Sequence, residues 1–526
     1  MSSRLETTAR WLATRHGVVV ALVVVWSLHL TANAVHVIGD ERGTELADSA
    51  NQLDYVYQHV SGARNAGPRA LWDELRAASV EWPPLAHFVL GVPGAMADAS
   101  LAAVRIYNML FFAVLLIGVY WCGRQAAGSA AGLLAAVLCS LMPAIYGASR
   151  QIGLDFPAAA MVALATGALM QATGFERPGR AAAAGLASGL AALARGQSLF
   201  FLVGTGAVEL WRGLRGRARR VQVVLYAGLC GALVVVVSAL WWWGKLGLIL
   251  DTLRIHGDAG RLPLEGDPSL WGGIALYLGG LYRLTGLPLL VLLLAGVPGG
   301  LRLAGARRWD LLAWLLVPLL IHVALVVRNL RYVLPLLPVL PLLGSIGVLG
   351  WRERRARRAA VLALLLAGAV PWLLSVRHHD SLRDGLGRAA PLILGDRELN
   401  RPAGPDEVAR AGAELAARLR PVASRGVALL MLRFERSRRY EETQMALSAQ
   451  IRGHLPRLVV AHSGRRPTAW EERAMERATS RFVLVVKEAH RPVAARRLLA
   501  EVSPTGGALQ LWELQPGSSW RPPLGP

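Results

Sequence analysis

Two adjacent carboxylates, Asp40 and Glu41, stand immediately beyond a long apolar run from Gly17 to Ile38. Partial burial at such a boundary favours proton uptake, the property of a general base that takes a proton from an acceptor hydroxyl. The plain alternative is a solvated helix terminus, and position alone does not separate the two. A second set of candidates is cationic: nearly all the basic charge is arginine, with lysine only at Lys245 and Lys487. Guanidinium offers a planar fork of donors that fits phosphate or carboxylate oxygens.

The elements that carry these groups are membrane spans. The chain has 526 residues, 54% of them hydrophobic, clustered into blocks too long and too uncharged for an ordinary soluble protein. A helix needs roughly 20 apolar residues to cross the hydrocarbon. That length criterion predicts about eleven spans, near 17–38, 103–122, 129–146, 156–174, 181–194, 197–212, 221–248, 286–304, 311–327, 332–351 and 359–376. The N-terminal Arg4, Arg10 and Arg15 imitate a signal peptide, but the apolar run is long and lacks a small-residue cleavage site, so an uncleaved first span is expected.

The formal net charge of +22 would suggest nucleic acid in a soluble protein, yet much of the excess lies in short loops between spans. With a cytoplasmic N-terminus, Arg124, Arg177 and Arg180, Arg212 to Arg220, Arg307 and Arg308, and Arg352 to Arg358 fall inside, as the positive-inside rule requires. No nucleic-acid partner is expected. Cys122, Cys139 and Cys230 sit in apolar segments and give no disulfide framework.

This topology leaves three stretches outside: 39–102, 249–285 and the tail from 377 to 526. The first is rich in carboxylates and ends in Trp82-Pro83-Pro84, where paired prolines must break a helix. In the second, His256 and Asp258 are the less favoured alternative for a divalent metal, since their spacing matches no established ligand set; no cofactor is expected. Trp241-Trp242-Trp243 reads as an interfacial aromatic belt. In the tail, Gly426 to Phe434, Leu458 to His462, Arg481 to Glu488 and Leu509 to Leu514 read as strands, with helices over Arg438 to Arg452 and Trp470 to Ala478. The expected architecture is a mainly α polytopic part over 1–376 and a soluble α/β domain over 377–526.

The ordered pattern of Asp40-Glu41, Trp82-Pro83-Pro84-Leu85, Arg105-Ile106-Tyr107-Asn108, Ser149-Arg150-Gln151-Ile152-Gly153-Leu154-Asp155, a glycine-containing span closing on Ala194-Arg195-Gly196, and Arg331-Tyr332-Val333-Leu334-Pro335 resembles the GT-C glycosyltransferases. Within them it is most similar to glycosyltransferase family 39, the protein O-mannosyltransferase and aminoarabinose transferase group. The resemblance covers residues 1 to about 375. It implies an inverting transfer of a hexosyl or pentosyl group from a polyprenyl-phosphate donor to a lipid, protein or glycan acceptor, on the exported face of a bacterial inner membrane.

By the same resemblance Asp40, with Glu41 beside it, is the base or acceptor-orienting carboxylate, and Asp155 is a second acidic residue in the cleft. Arg331 holds the donor phosphate, with Arg150, Arg195 and Arg328 as further candidates; Pro83, Pro84 and Tyr332 belong to the substrate loops. Each arginine also has a structural reading, since arginines at span ends snorkel or cap helix carbonyls. Two departures from the family stand out: Glu81 and Trp82 precede the proline pair where a basic residue is common, and Arg195 replaces a common lysine. The alternative from another class is a polytopic transporter or lipid flippase, with the charges marking a translocation path; a third is an inactive relative whose tail binds a partner.

Overall fold

The computed structural model describes residues 15–39, 48–67, 83–216, 219–243, 269–325 and 328–376. In the tail it describes 406–423, 428–432, 458–462, 480–486, 495–502 and 509–514, with a few single residues elsewhere, including 448, 451, 452 and 455. Each of the eleven apolar stretches contains helix. Along the chain come α1 (Arg15–Gly39), α2 (Asp48–Ala66), α3 (Leu85–Met96), α4 (Leu101–Tyr107), α5 (Met109–Ala127), α6 (Ser129–Ser140), α7 (Pro143–Ser149) and α8 (Asp155–Ala172). They are followed by α9 (Pro178–Ala194), α10 (Ser198–Arg215), α11 (Arg220–Trp242), α12 (Leu270–Thr285), α13 (Leu287–Leu303), α14 (Arg308–Ala324), a 3-10 helix (Leu330–Leu336), α15 (Val339–Leu349) and α16 (Arg354–Val376).

Among the described residues, four helices are long and apolar enough to cross a membrane singly, or up to seven spans if each bent pair counts as one. The chain is a multi-pass membrane protein. The apolar helix α12 lies in a stretch that charge alone assigned to a loop, and it turns 110° into α13 at Gly286, whose φ of +76° is a conformation glycine adopts without penalty.

α8 is the centre of the bundle, buried along almost its whole length and packed by α5, α9 and α10. Its alanines, with Gly167, make this possible, because helices in lipid associate by close packing and not by hydrophobic exclusion. At Gly118 of α5 an added Cβ would lie 2.5 Å from the backbone nitrogen of Leu164. α11 instead exposes Val221, Leu225, Val235 and Val236, the apolar face expected against lipid.

The bundle has two unlike ends. The start of α8, the end of α9, the end of α1 and the 3-10 helix gather at one. At the other, Glu209 and Asp310 are fully buried between Arg212 and Arg307: Arg212 donates to Asp310 at 2.9 Å, Arg307 ion-pairs with Asp310 at 3.3 Å, and both arginines also pair with Glu209. Gly174 N donates to Glu209 at 2.7 Å, tying the α8–α9 turn into the same network.

In the tail, α17 (Asp406–Ala423) precedes a sheet of β1 (Ala428–Leu432), β2 (Val459–His462), β3 (Ser480–Val486), β4 (Ala495–Val502) and β5 (Leu509–Leu514). The spatial order is β2-β1-β3-β5-β4. β1 runs parallel to β2 and β3, and β5 runs antiparallel to β3 and β4. α17 buries Ala411, Leu415, Ala416 and Leu419 and exposes Glu414, Arg418 and Arg420, an amphipathic face that packs on β4.

Gly118→Leu is expected to lower the thermal stability of the detergent-solubilised protein by about 1–3 kcal/mol, as overpacking of a tight contact does. Gly206→Ala, where an added Cβ meets nothing within 4 Å, should be neutral or stabilising by up to about 1 kcal/mol. A melting curve for each variant checks the pair.

Candidate functional site

Asp155 is the first residue of α8, where a carboxylate is favoured by the helix dipole. Arg195 directly follows α9 in an extended conformation, with its N–H bonded to Ala191 O, and so turns away from the helix axis. Arg331 is held by the 3-10 helix that Asn329 caps: the Asn329 side chain accepts from Arg331 N at 3.0 Å. These three elements converge. Arg195 NH1 pairs with Asp155 Oδ1, and Arg331 Nε lies 3.6 Å from Asp155 Oδ2. The Tyr332 ring joins them, with its centroid 4.7 Å from the Arg195 guanidinium carbon and 5.8 Å from that of Arg331.

The result is a half-open cradle of two guanidiniums, one carboxylate and one aromatic face, with the Arg331 side chain 34% exposed and that of Asp155 17%. Among the described residues the cradle gathers two guanidiniums and one carboxylate at the rim of an apolar bundle. Such a site can take an anion and fix its orientation. A carboxylate already paired with two arginines aligns them, and is poorly placed to act as a proton acceptor.

The other arginines are elsewhere. Arg150 is buried and donates to Asn33 Oδ1 at 3.0 Å and Ser375 O at 2.9 Å, joining the C-terminal turns of α1 and α16. Arg328 donates to the carbonyls of Leu325, Val323 and Ser269 at 2.7–2.9 Å, closing the end of α14 onto the start of α12. Pro83 and Pro84 are buried at the start of α3, where Pro84 is the N-cap. Asp40, Glu41, His256 and Asp258 lie outside the described residues.

Residues 81–242 match the family model described as dolichyl-phosphate-mannose-protein mannosyltransferase, a stretch that holds Asp155, Arg195 and the proline pair but not Arg331. ArnT from Cupriavidus metallidurans in the apo state is similar at 15% identity and a TM-score of 0.57, over 94% of this chain and 98% of that one. ArnT from the same organism bound to undecaprenyl phosphate is similar at 13% identity and a TM-score of 0.59, over 98% of this chain and 100% of that one. The chain has the GT-C glycosyltransferase fold. The oligosaccharyltransferase AglB from Archaeoglobus fulgidus, in complex with an inhibitory peptide and a dolichol-phosphate, shares it at 13% identity and a TM-score of 0.51, over 88% of this chain and 69% of that one. Among curated proteins none matches in sequence.

Around the GT-C cradle the structure adds residues that sequence reading did not select. An added Cβ on Gly196 would meet the Trp242 ring at 3.1 Å, so Trp242 backs the turn that presents Arg195. Trp241 is 3% exposed and packs with Leu193, so it serves as core and not as an interfacial belt; Trp243, 85% exposed, does fit that belt. Leu85, the first residue of α3, packs against the same group. The signal available was the run of three tryptophans, but which of them faces inward depends on the pitch at the end of α11.

α2 and α3 contain a second buried polar group. His87 bonds to Gln52 Oε1 and stacks on His59 with centroids 6.3 Å apart. α3 has 12 residues, too short to cross a bilayer. Burial, reinforced by the neighbouring His59, pushes the His87 imidazole down from 6.5 to about 3. The unfolded chain takes up this proton near 6.5 and the folded protein only near 3. Stability contributed by neutral His87 is therefore complete above the unfolded value and is lost as pH falls toward 3, with about 2 kcal/mol gone by pH 5. Melting temperatures measured between pH 7.5 and pH 5 should fall in wild type and fall less in His87→Gln.

Proposed function

We propose that this protein is an integral-membrane glycosyltransferase that moves a sugar from a polyprenyl-phosphate donor to an acceptor on the exported face, with inversion at the anomeric carbon. The observation that carries the reading is the cradle of Arg195, Arg331, Asp155 and Tyr332 at the non-basic end of a GT-C bundle. Transfer from a lipid-phosphate donor makes the phosphate the leaving group, and fixed positive charge that strengthens its hold as negative charge develops lowers the barrier. Arg331 and Arg195 are the phosphate-holding pair in this reading, and Asp155 keeps their forks aligned. The ArnT structure with undecaprenyl phosphate and the AglB structure with dolichol-phosphate support a lipid-linked donor for this chain.

Inversion needs a base on the far side of the sugar that takes the acceptor's proton while the acceptor oxygen bonds the anomeric carbon and the phosphate departs. Asp40 is assigned that role, with Glu41 orienting the segment after α1. The end of α1 supports the assignment: Asn33, near its last turns, is bonded through Arg150 to the segment that leads into Asp155. The cluster of Arg177, Arg180, Arg212, Arg215, Arg307 and Arg308 at the opposite end supports a cytoplasmic placement of that end in the cell inner membrane. Residues 1–376 are then the catalytic membrane domain and 377–526 an exported soluble domain.

Membrane vesicles containing the protein are expected to transfer sugar from a polyprenyl-phosphate donor to an endogenous acceptor. Asp40→Asn should abolish transfer without lowering the amount of protein. Arg331→Ala should reduce kcat on the order of 100-fold or more, the usual effect of deleting one charge-stabilising donor. Normal turnover by both variants, or saturable solute uptake with no transfer from any lipid donor, would sink the assignment.

A further inference from the structure

α2 carries a buried carboxylate that meets an arginine of the tail. Asp54 is 1% exposed, and its ion-pair partner is Arg452 of the tail, itself 0% exposed, with NH1 2.7 Å from Asp54 Oδ1. The same nitrogen donates to the Asp54 carbonyl at 3.1 Å. Ser448 donates to Oδ1 at 3.3 Å, and Gln58, one turn along α2, donates to Oδ2 at 3.0 Å. Two turns along α2, Ser61 donates to Leu458 O at 3.3 Å, so the contact continues for the length of a helix face. Ile451, Leu455 and Leu458 are buried, as are Leu53, Val56, Tyr57 and Val60 of α2.

A buried ion pair differs from a surface one in what its loss leaves behind: removing one partner strands an uncompensated charge. Loss of Arg452 removes the countercharge 2.7 Å from buried Asp54, so the docked tail stabilises α2 as built. The opposite side of α2 is tied to α3, where an added Cβ on Gly91 would meet His59 Cβ at 3.0 Å and His87 bonds to Gln52. α3 in turn begins with Leu85, packed against the cluster of Leu193 and Trp241 that Trp242 also joins, beside the turn that presents Arg195. The tail touches none of the cradle residues in these contacts, yet it holds the helix on which their outer wall rests.

We propose that Ser448, Arg452 and Leu458 of the tail form a latch on α2 and that Arg452 is a positioning residue: docking of the tail through the Asp54–Arg452 pair completes the wall beside the cradle. The membrane part alone, although it contains every candidate site residue, is then an incomplete enzyme. The consequence for transfer rests on the glycosyltransferase reading; the latch itself does not.

The test is a double-mutant cycle on the full-length protein in nanodiscs, using Asp54→Asn, Arg452→Met and the double variant. Tail docking is read as the rate of limited proteolysis beyond residue 376, followed by a C-terminal tag. Each single variant should raise the cleavage rate on the order of 100-fold or more, and the double variant should fall well short of the product of the two. Should Arg452→Met fail to accumulate, Arg452→Gln, which removes the charge and keeps a polar side chain, supplies the same cycle. Wild-type protection in the single variants, or strictly multiplicative effects in the double, would refute the latch. In vesicle assays the single variants should change donor KM and kcat by different factors, while Glu414→Gln on the exposed face of α17 changes neither. Unlatched variants with wild-type kinetics would refute the coupling to the cradle. Absence of transfer by wild type would overturn the function reading and leave the proteolysis result standing.

Discussion

A charge in a low-dielectric interior is tolerated only beside its countercharge, and that constraint arranges this molecule. It operates in three places. Glu209 and Asp310 are matched by Arg212 and Arg307, two acids to two bases, and form a closed network that welds α10 to α14 and to the α8–α9 turn. Asp54 and Arg452 pair with both side chains buried. At Asp155 the count differs: one acid meets Arg195 and Arg331. The two buried sites behave as fasteners, whereas the half-open Asp155 site presents guanidinium donors of the kind that suit an anion.

Bringing the ends of separate helices to one point is a packing problem. α8 solves it with small side chains along a fully buried axis, so that α5, α9 and α10 approach closely enough for the turns at either end to share side chains. Gly118 against Leu164 illustrates this: the backbones meet where any side chain would stand. The same closeness makes the position of Asp155 relative to Arg195 a property of the whole α8–α9 pair and not of the loop residues alone.

Much of this was legible in the sequence because the bilayer imposes a strong length signal. Apolar stretches such as 221–248 and 359–376 were expected to hold helices, and α11 and α16 lie in them. Asp155, Arg195, Arg331 and Tyr332 were selected by motif, and the structure brings these four together. What the sequence did not reveal was who pairs with whom. Arg150 and Arg328 have the same residue type and a similar place at helix ends, yet their guanidiniums bond Asn33 and backbone carbonyls, which only the three-dimensional path of α1, α12 and α16 decides. α12 escaped notice because charged neighbours masked its apolar stretch, and β4, Ala495–Val502, because two arginines interrupt its alternation. The pairing of Asp54 with Arg452 spans almost 400 positions and leaves no local trace.

Arg328 has a consequence of a different kind. Arg328, three residues before Arg331, donates to the carbonyls of Val323 and Leu325 at the end of α14 and of Ser269 at the start of α12. The segment carrying the cradle is thereby fixed before any ligand arrives. The conformational entropy of ordering it is lost once, during folding, and does not recur at each encounter, so an anion entering the cradle retains more of its intrinsic interaction energy as affinity.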